Sequence, residues 1–164
     1  MQDPASGTLF VVATPIGNLE DISLRALRVL READLVAAED TRRSGALLQH
    51  YAIGCPTTSL HEHNESRKVP ALVNRLRNGA RIALVTDAGT PSVSDPGFRL
   101  VKAAAEAGIR VEAVPGPSAV LAALVASGLP TDAFVFAGFP PSRGAARGAW
   151  FDTLKGERRT VVFF

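Results

Sequence analysis

Apolar residues come along this chain in two rhythms. Short runs of strand length are TLFVVAT (8–14), DLVAAE (34–39), RIALVT (81–86), RVEAVP (110–115), FVFAGF (134–139) and RTVVFF (159–164), with TTSLH (57–61) a weaker one. Between them apolar positions recur at helical spacing in ISLRALRVLREA (22–33), SGALLQHY (44–51), SRKVPALVNRLRNG (66–79), PGFRLVKAAAEAG (96–108) and PSAVLAALVASG (117–128). Punctuation supports the pattern. Asp21 or Ser23 and then Ser44 stand where N-caps belong, Pro70 falls near a first helical turn, and Gly79 and Gly108 mark stops. Strands that are apolar throughout and alternate with helices predict an α/β fold, a parallel-rich sheet with helices on both faces.

The pattern also divides the chain. Residues 1–7 read as a loose, disordered lead and 8–140 as one α/β domain. SRGAARGAW (142–150) is rich in Gly and Arg and reads as a linker, followed by a short helix, FDTLKG (151–156). Residues 141–164 are therefore expected to be a linker and the start of a second domain, truncated inside an apolar strand.

Composition changes this picture little. The chain has 164 residues, 46% hydrophobic and 21% charged, enough for a domain with its own core. No apolar run approaches membrane-spanning length, and MQDPASG lacks the features of a signal peptide, so a cytoplasmic protein is expected. The single cysteine, Cys55, excludes an internal disulfide and reads as a loop filler. Net charge is +2, carried by 15 Arg and 3 Lys; this balance permits a nucleic-acid partner without arguing for one.

In an open parallel sheet, ligands bind beyond the carboxyl ends of the strands. Five loops follow strands: TPIGNLED (14–21), EDTRR (39–43), TDAGTPSVSDPG (86–97), PGPSA (115–119) and GFPPS (138–142). All are rich in Gly, Pro, Ser, Thr or Asp, which let backbone approach a polar ligand. Any one of them is most simply a capped turn; five on one predicted edge are harder to explain that way. None matches the phosphate-binding pattern of P-loop enzymes or the dinucleotide fingerprint. Arg42 and Arg43 fall on this edge, where a phosphate or carboxylate could be met, whereas Arg28, Arg31, Arg75 and Arg77 read as solvated helix faces. HEHNE (61–65) is a polar loop in which His61 and His63 share a face if extended. Two histidines without further ligands make a poor zinc site, so no metal is expected.

ATPIGNLEDIS (13–23), AAEDTR (37–42), LHEHNE (60–65), VTDAGTPSVSDPG (85–97) and VPGPSA (114–119), in this order, resemble the tetrapyrrole-methylase superfamily over about residues 8–164. The resemblance implies the N-terminal domain of a class III methyltransferase, with S-adenosylmethionine as methyl donor, a homodimer, and a second domain closing the donor site. It places the donor against Pro15, Ala88, Gly89, Thr90, Val93, Ser118 and Ala119. Thr90 stands where tetrapyrrole-modifying members carry the Asp of Gly-Asp-Pro, as in the RNA-modifying branch. That branch implies methylation of a cytidine 2′-hydroxyl in the 16S rRNA of the small ribosomal subunit. A ribose hydroxyl is a weak nucleophile, and Asp40 and Asp87, which end strands at the ligand edge, are candidate bases. Arg42, Arg43, His61 and Asn64 are candidates for holding RNA. The alternatives are a tetrapyrrole methylase acting on a precorrin- or uroporphyrinogen-like acceptor, and an inactive truncated ligand-binding domain.

Overall fold

The structure is a computed structural model and describes residues 7–164; positions 1–6 of the expected lead lie outside the described residues. The chain forms two compact units, 7–117 and 118–164, dividing ahead of the expected boundary at 140/141.

The first unit is a five-stranded sheet. Its strands are β1 (Thr8–Val12), β2 (Leu35–Ala38), β3 (Thr57–Ser59), β4 (Arg81–Val85) and β5 (Arg110–Val114). They lie in the order β3-β2-β4-β1-β5, all neighbours parallel. Register sets Phe10 beside Ala83 and Glu112, and Val36 beside Ala83 and Thr57. Successive side chains of a strand point to opposite faces. Phe10, Val12, Val36, Ala38, Ala83 and Val85 accordingly pack on one face with helices α1 (Leu24–Glu32) and α2 (Thr41–His50). Leu9, Leu35, Ala37, Ile82 and Leu84 pack on the other with α3 (Glu62–Arg77) and α4 (Phe98–Glu106). The expected layering, helices over both faces of a parallel sheet, is what the chain builds. Cys55 is half-buried beside the α1–α2 layer and donates its thiol to the Ala33 carbonyl at 3.1 Å.

Two helices begin earlier than their expected caps. Helix α2 starts at Thr41, not Ser44: the Asp40 side chain accepts from Arg42 N–H at 2.9 Å, and Ser44 is buried inside the helix. A carboxylate is a strong N-cap and also suits the positive end of the helix dipole. Helix α3 starts at Glu62 rather than Ser66, so HEHNE is a helical first turn and Pro70 lies in the helix interior. Of the two caps weighed for α1, Ser23 serves, accepting from Ala26 N–H at 3.0 Å.

The second unit holds α5 (Ala119–Ala126), β6 (Phe134–Phe136), α6 (Gly144–Thr153) and β7 (Thr160–Val162), with β6 and β7 paired in parallel. The segment expected as a linker is mostly α6. Its alanines favour helix, and Trp150 and Phe151 pack against Phe163 with ring centroids 5.3 and 5.7 Å apart.

Candidate functional site

Because β1, β2, β3 and β4 run parallel, the loops after them leave one edge of the sheet. Two are stitched together there. Thr14 and Gly89 form an antiparallel bridge: Thr14 N–H donates to Gly89 O at 2.9 Å and Gly89 N–H to Thr14 O at 3.0 Å. The Thr14 hydroxyl adds a bond to Thr86 O at 3.1 Å, and Thr90 Oγ1 donates to Pro117 O at 3.3 Å. Gly89 holds φ +89°, a conformation a side chain strains. Gly97, closing the loop, has φ +113°, and a Cβ there would lie 2.7 Å from Leu84 Cδ2. Ser92 and Ser94 also take positive φ, at +69° and +60°. A loop with four left-handed residues in twelve is a held shape rather than a slack connection.

Carboxylates line the same edge. Glu39 Oε2 accepts from the Thr86 hydroxyl at 2.7 Å, and Asp87 Oδ1 accepts from Asp40 N–H at 3.1 Å. Arg42 pairs with Asp40 at 2.6 Å and Arg43 with Asp87 at 3.4 Å. The two aspartates differ in acidity. Hydrogen bonds from the Arg42 side chain and N–H hold Asp40 down at about 2. Burial pushes Asp87 above the ordinary aspartate value, with Glu39 adding to the effect and Asp40 N–H and Arg43 opposing it. Asp95 is raised too, again chiefly by burial.

The first turn of α3 contributes a frame. His61 N–H donates to Asn64 Oδ1 at 3.0 Å, which leaves the Asn64 amide to donate to Ser59 Oγ at 3.2 Å and to His61 Nε2 at 2.9 Å. Glu65, 5% exposed, turns its Oε1 to the start of α4 and accepts from Gly97, Arg99 and Leu100 N–H at 3.1, 3.0 and 3.3 Å. The buried charge is thereby satisfied by the donors that a helix N-terminus leaves unpaired.

Two cavities flank the carboxylate row. One of about 180 Å³ is lined by Thr14, Pro15, Leu19, Arg43 and Asp87, among others. The other, about 540 Å³, lies between the first turns of α3 and α4. Of the residues singled out in the sequence, Pro15, Arg43 and Asp87 share the first cavity and His61 lines the second. Gly89 and Thr90 are on the stitched loop, with Ala88 and Val93 exposed beside them. Arg42 projects outward, 89% exposed. Asn64 is buried as a bracing residue. Ser118 and Ala119 fall in the second unit, where the Ser118 hydroxyl caps α5 by accepting from Leu121 N–H. His61 and His63 sit on a helical turn with ring centroids 6.0 Å apart, not on an extended segment. Among the described residues no group of three His, Cys, Asp or Glu is placed to hold a metal. Sequence reasoning overlooked Glu39 and Glu65. The acidic end of β2 was a visible signal for Glu39; the partners of Glu65 are backbone groups more than thirty residues away.

Gly- and Pro-rich loops at the carboxyl edge of a parallel sheet are what the five motifs led one to expect; the bridge that joins two of them is not. The chain matches the family described as Tetrapyrrole (Corrin/Porphyrin) Methylases over residues 8–164, and it belongs to that family. It is 55% identical over 160 residues to ribosomal RNA small subunit methyltransferase I of Pseudomonas aeruginosa, an alignment covering 98% of this chain and 57% of that protein. Among solved structures it is similar to uroporphyrin-III-C-methyltransferase from Thermus thermophilus, with TM-score 0.61 and 25% identity over 84% of this chain and 65% of the other. Diphthine synthase shares the fold, with TM-score 0.76 at 19% identity over 96% of this chain and 64% of the other. The chain spans little more than half the length of the curated relatives it matches, from 54% to 58%.

Proposed function

We propose that this chain is the donor-binding part of an S-adenosylmethionine-dependent methyltransferase whose whole protein methylates a cytidine 2′-hydroxyl in 16S rRNA. The observation that carries this reading is the identity of about half, over nearly the whole chain, to relatives named as small subunit rRNA methyltransferases. The site suits the donor. Ala88 and Val93 are exposed on a loop whose shape is already fixed, and Glu39, Asp40 and Asp87 outnumber Arg42 and Arg43 on this edge, an acidic excess suited to a sulfonium and an ammonium group. Pro15, Gly89 and Thr90 shape this surface, and the family resemblance adds Ser118 and Ala119 to the donor contacts.

S-adenosylmethionine supplies a methyl group already activated on a sulfonium, so alignment with the ribose oxygen supplies much of the rate. Asp87 takes the hydroxyl proton. Its raised pKa makes it the stronger base, whereas Asp40, held at about 2 by Arg42, caps α2 and steadies Asp87 through its own N–H. Arg42 and Arg43 meet phosphates of the RNA, and His61 and Asn64 shape the acceptor side. The whole protein works in the cytoplasm as a homodimer on the small ribosomal subunit. Among the described residues no helix is long and apolar enough to cross a membrane.

The test is transfer of labelled methyl from S-adenosylmethionine by the full-length protein to small subunits lacking the modification, with a uroporphyrinogen as competing acceptor. The expected result is 2′-O-methylcytidine in the RNA digest and no labelled porphyrinoid. Labelled porphyrinoid with unlabelled RNA would overturn the reading in favour of a tetrapyrrole methylase. Transfer to neither acceptor would overturn it as well.

A further inference from the structure

The 540 Å³ groove belongs to none of the positions assigned to the donor, yet it adjoins them through a shared loop. The first half of the 86–97 loop carries Ala88, Gly89, Thr90 and Val93; the second half, Ser94 to Pro96, forms a wall of the groove. We propose that this groove receives the unstacked target nucleoside and reads its base by a carboxylate acceptor and an aromatic platform. The proposal rests on the methyltransferase reading and names the acceptor subsite within it.

Four observations carry it. The volume falls in the range of small-ligand sites, about 300–1,000 Å³. Phe98, the first residue of α4, is 63% exposed on the groove and contributes little to the core. An aromatic ring so placed is a surface on which a base can stack. Glu39 and Asp95 bring carboxylates into the groove, while the exposed guanidinium groups of Arg42 and Arg43 stand outside its lining. Arg99 is the one guanidinium on the lining itself, against the carboxylates of Glu39, Glu62 and Asp95, and this acidic excess disfavours phosphate in the groove and admits a base edge. A carboxylate accepts from the exocyclic amino group that cytosine carries and uracil lacks. Finally, the bond from His61 N–H fixes the Asn64 amide so that its nitrogen donates to His61 Nε2, which places the ring proton of neutral His61 on Nδ1. His61 Nδ1 has no partner in the structure and is buried on a residue that lines the groove. A small turn of the ring on binding gives that donor an acceptor, such as the base carbonyl or ring nitrogen.

The experiment uses the full-length protein and small subunits lacking the modification, with donor affinity measured separately by calorimetry. Phe98→Ala is expected to raise KM for subunits about tenfold and to leave the Kd for S-adenosylmethionine within about twofold, with Phe98→Tyr restoring KM. Asp95→Asn is expected to narrow the preference for subunits carrying cytidine over those carrying uridine at the target position. Wild-type KM and kcat in Phe98→Ala, or a donor Kd that rises in step with KM, overturns the groove as acceptor site while the methyltransferase reading stands. Asp95→Asn with undiminished preference overturns the carboxylate readout. Wild-type protein that binds donor but methylates no subunit overturns the functional reading itself, and the groove assignment with it.

Discussion

The two units of this chain use apolar residues differently. In residues 7–117 the sheet carries a packed layer on each face, and side chains such as Leu9, Leu76, Ile82, Leu84 and Leu100 are at most 1% exposed. In residues 118–164 Leu124 and Val162 are buried, while Leu121, Val125, Leu129, Phe139 and Phe151 stand between 38% and 75% exposed. Within residues 118–164 apolar side chains are not scarce, but few of them are covered by residues of this chain. Area removed from water, not apolar content, is what stabilises a fold, so the two units differ in local stability.

The comparison can be broken most directly by matched truncations. Leu100→Ala, in the α3–α4 layer, is expected to cost about 2–5 kcal/mol, and Phe151→Ala, 38% exposed on α6, about 1 kcal/mol or less. Urea denaturation of the two variants checks this, with hydrogen exchange expected to be slower in β4 than in α6; equal losses would erase the distinction. Glu65→Gln comes next. It keeps an acceptor but removes the charge facing three N–H groups, for an expected loss of about 1–3 kcal/mol that denaturation reads, with α4 amides exchanging faster. Gly89→Ala meets no atom closer than 3.4 Å, so only the backbone conformation opposes it. A thermal midpoint lowered by the equivalent of about 1–2 kcal/mol is expected, with weaker donor binding.

The smallest effect belongs to Asp40. Its folded pKa of about 2 lies below the ordinary 3.8, so its contribution to stability is complete above pH 3.8 and is lost as pH falls toward 2. Asp40→Asn should therefore flatten the thermal midpoint over that window and leave its neutral-pH dependence unchanged. Asp87 has the opposite sign. Its raised pKa means that ionisation disfavours the fold as pH rises through it, and the acid limb of methyl transfer should lie above pH 3.8 and vanish in Asp87→Asn.

Four of the five strands in the first unit were legible as apolar runs bounded by turn residues, whereas β3, Thr57–Ser59, is polar and gave a weaker signal; the parallel order followed from the helices between them. Helix starts were less so. Ser44 has the chemistry of a cap, but Asp40 offers a carboxylate to the same helix four residues sooner and prevails. HEHNE reads as a loop by polarity, yet His61 and Asn64, three apart, brace each other as a helix start, which charge and hydropathy do not reveal. The loops that stitch the site were readable as Gly- and Pro-rich; their joining was not. The Thr14–Gly89 bridge uses backbone groups, which every residue has, and Glu65 likewise finds backbone partners. The groove with Phe98 draws on three separate stretches of chain and exists only once they are folded together.

The bridge at Thr14 and Gly89 bears on the thermodynamics of recognition. It divides a twelve-residue connection into two short closed spans, one from the end of β4 to Gly89 and one from Gly89 to the Gly97 N–H held by Glu65. Short spans tied at both ends have few shapes left to lose. A ligand settling on this loop therefore meets a surface ordered during folding, and little of its binding enthalpy goes to ordering chain. Calorimetry of donor binding should show a small entropic penalty from this loop, and cutting the tie at Gly89 should enlarge that penalty before it alters any contact.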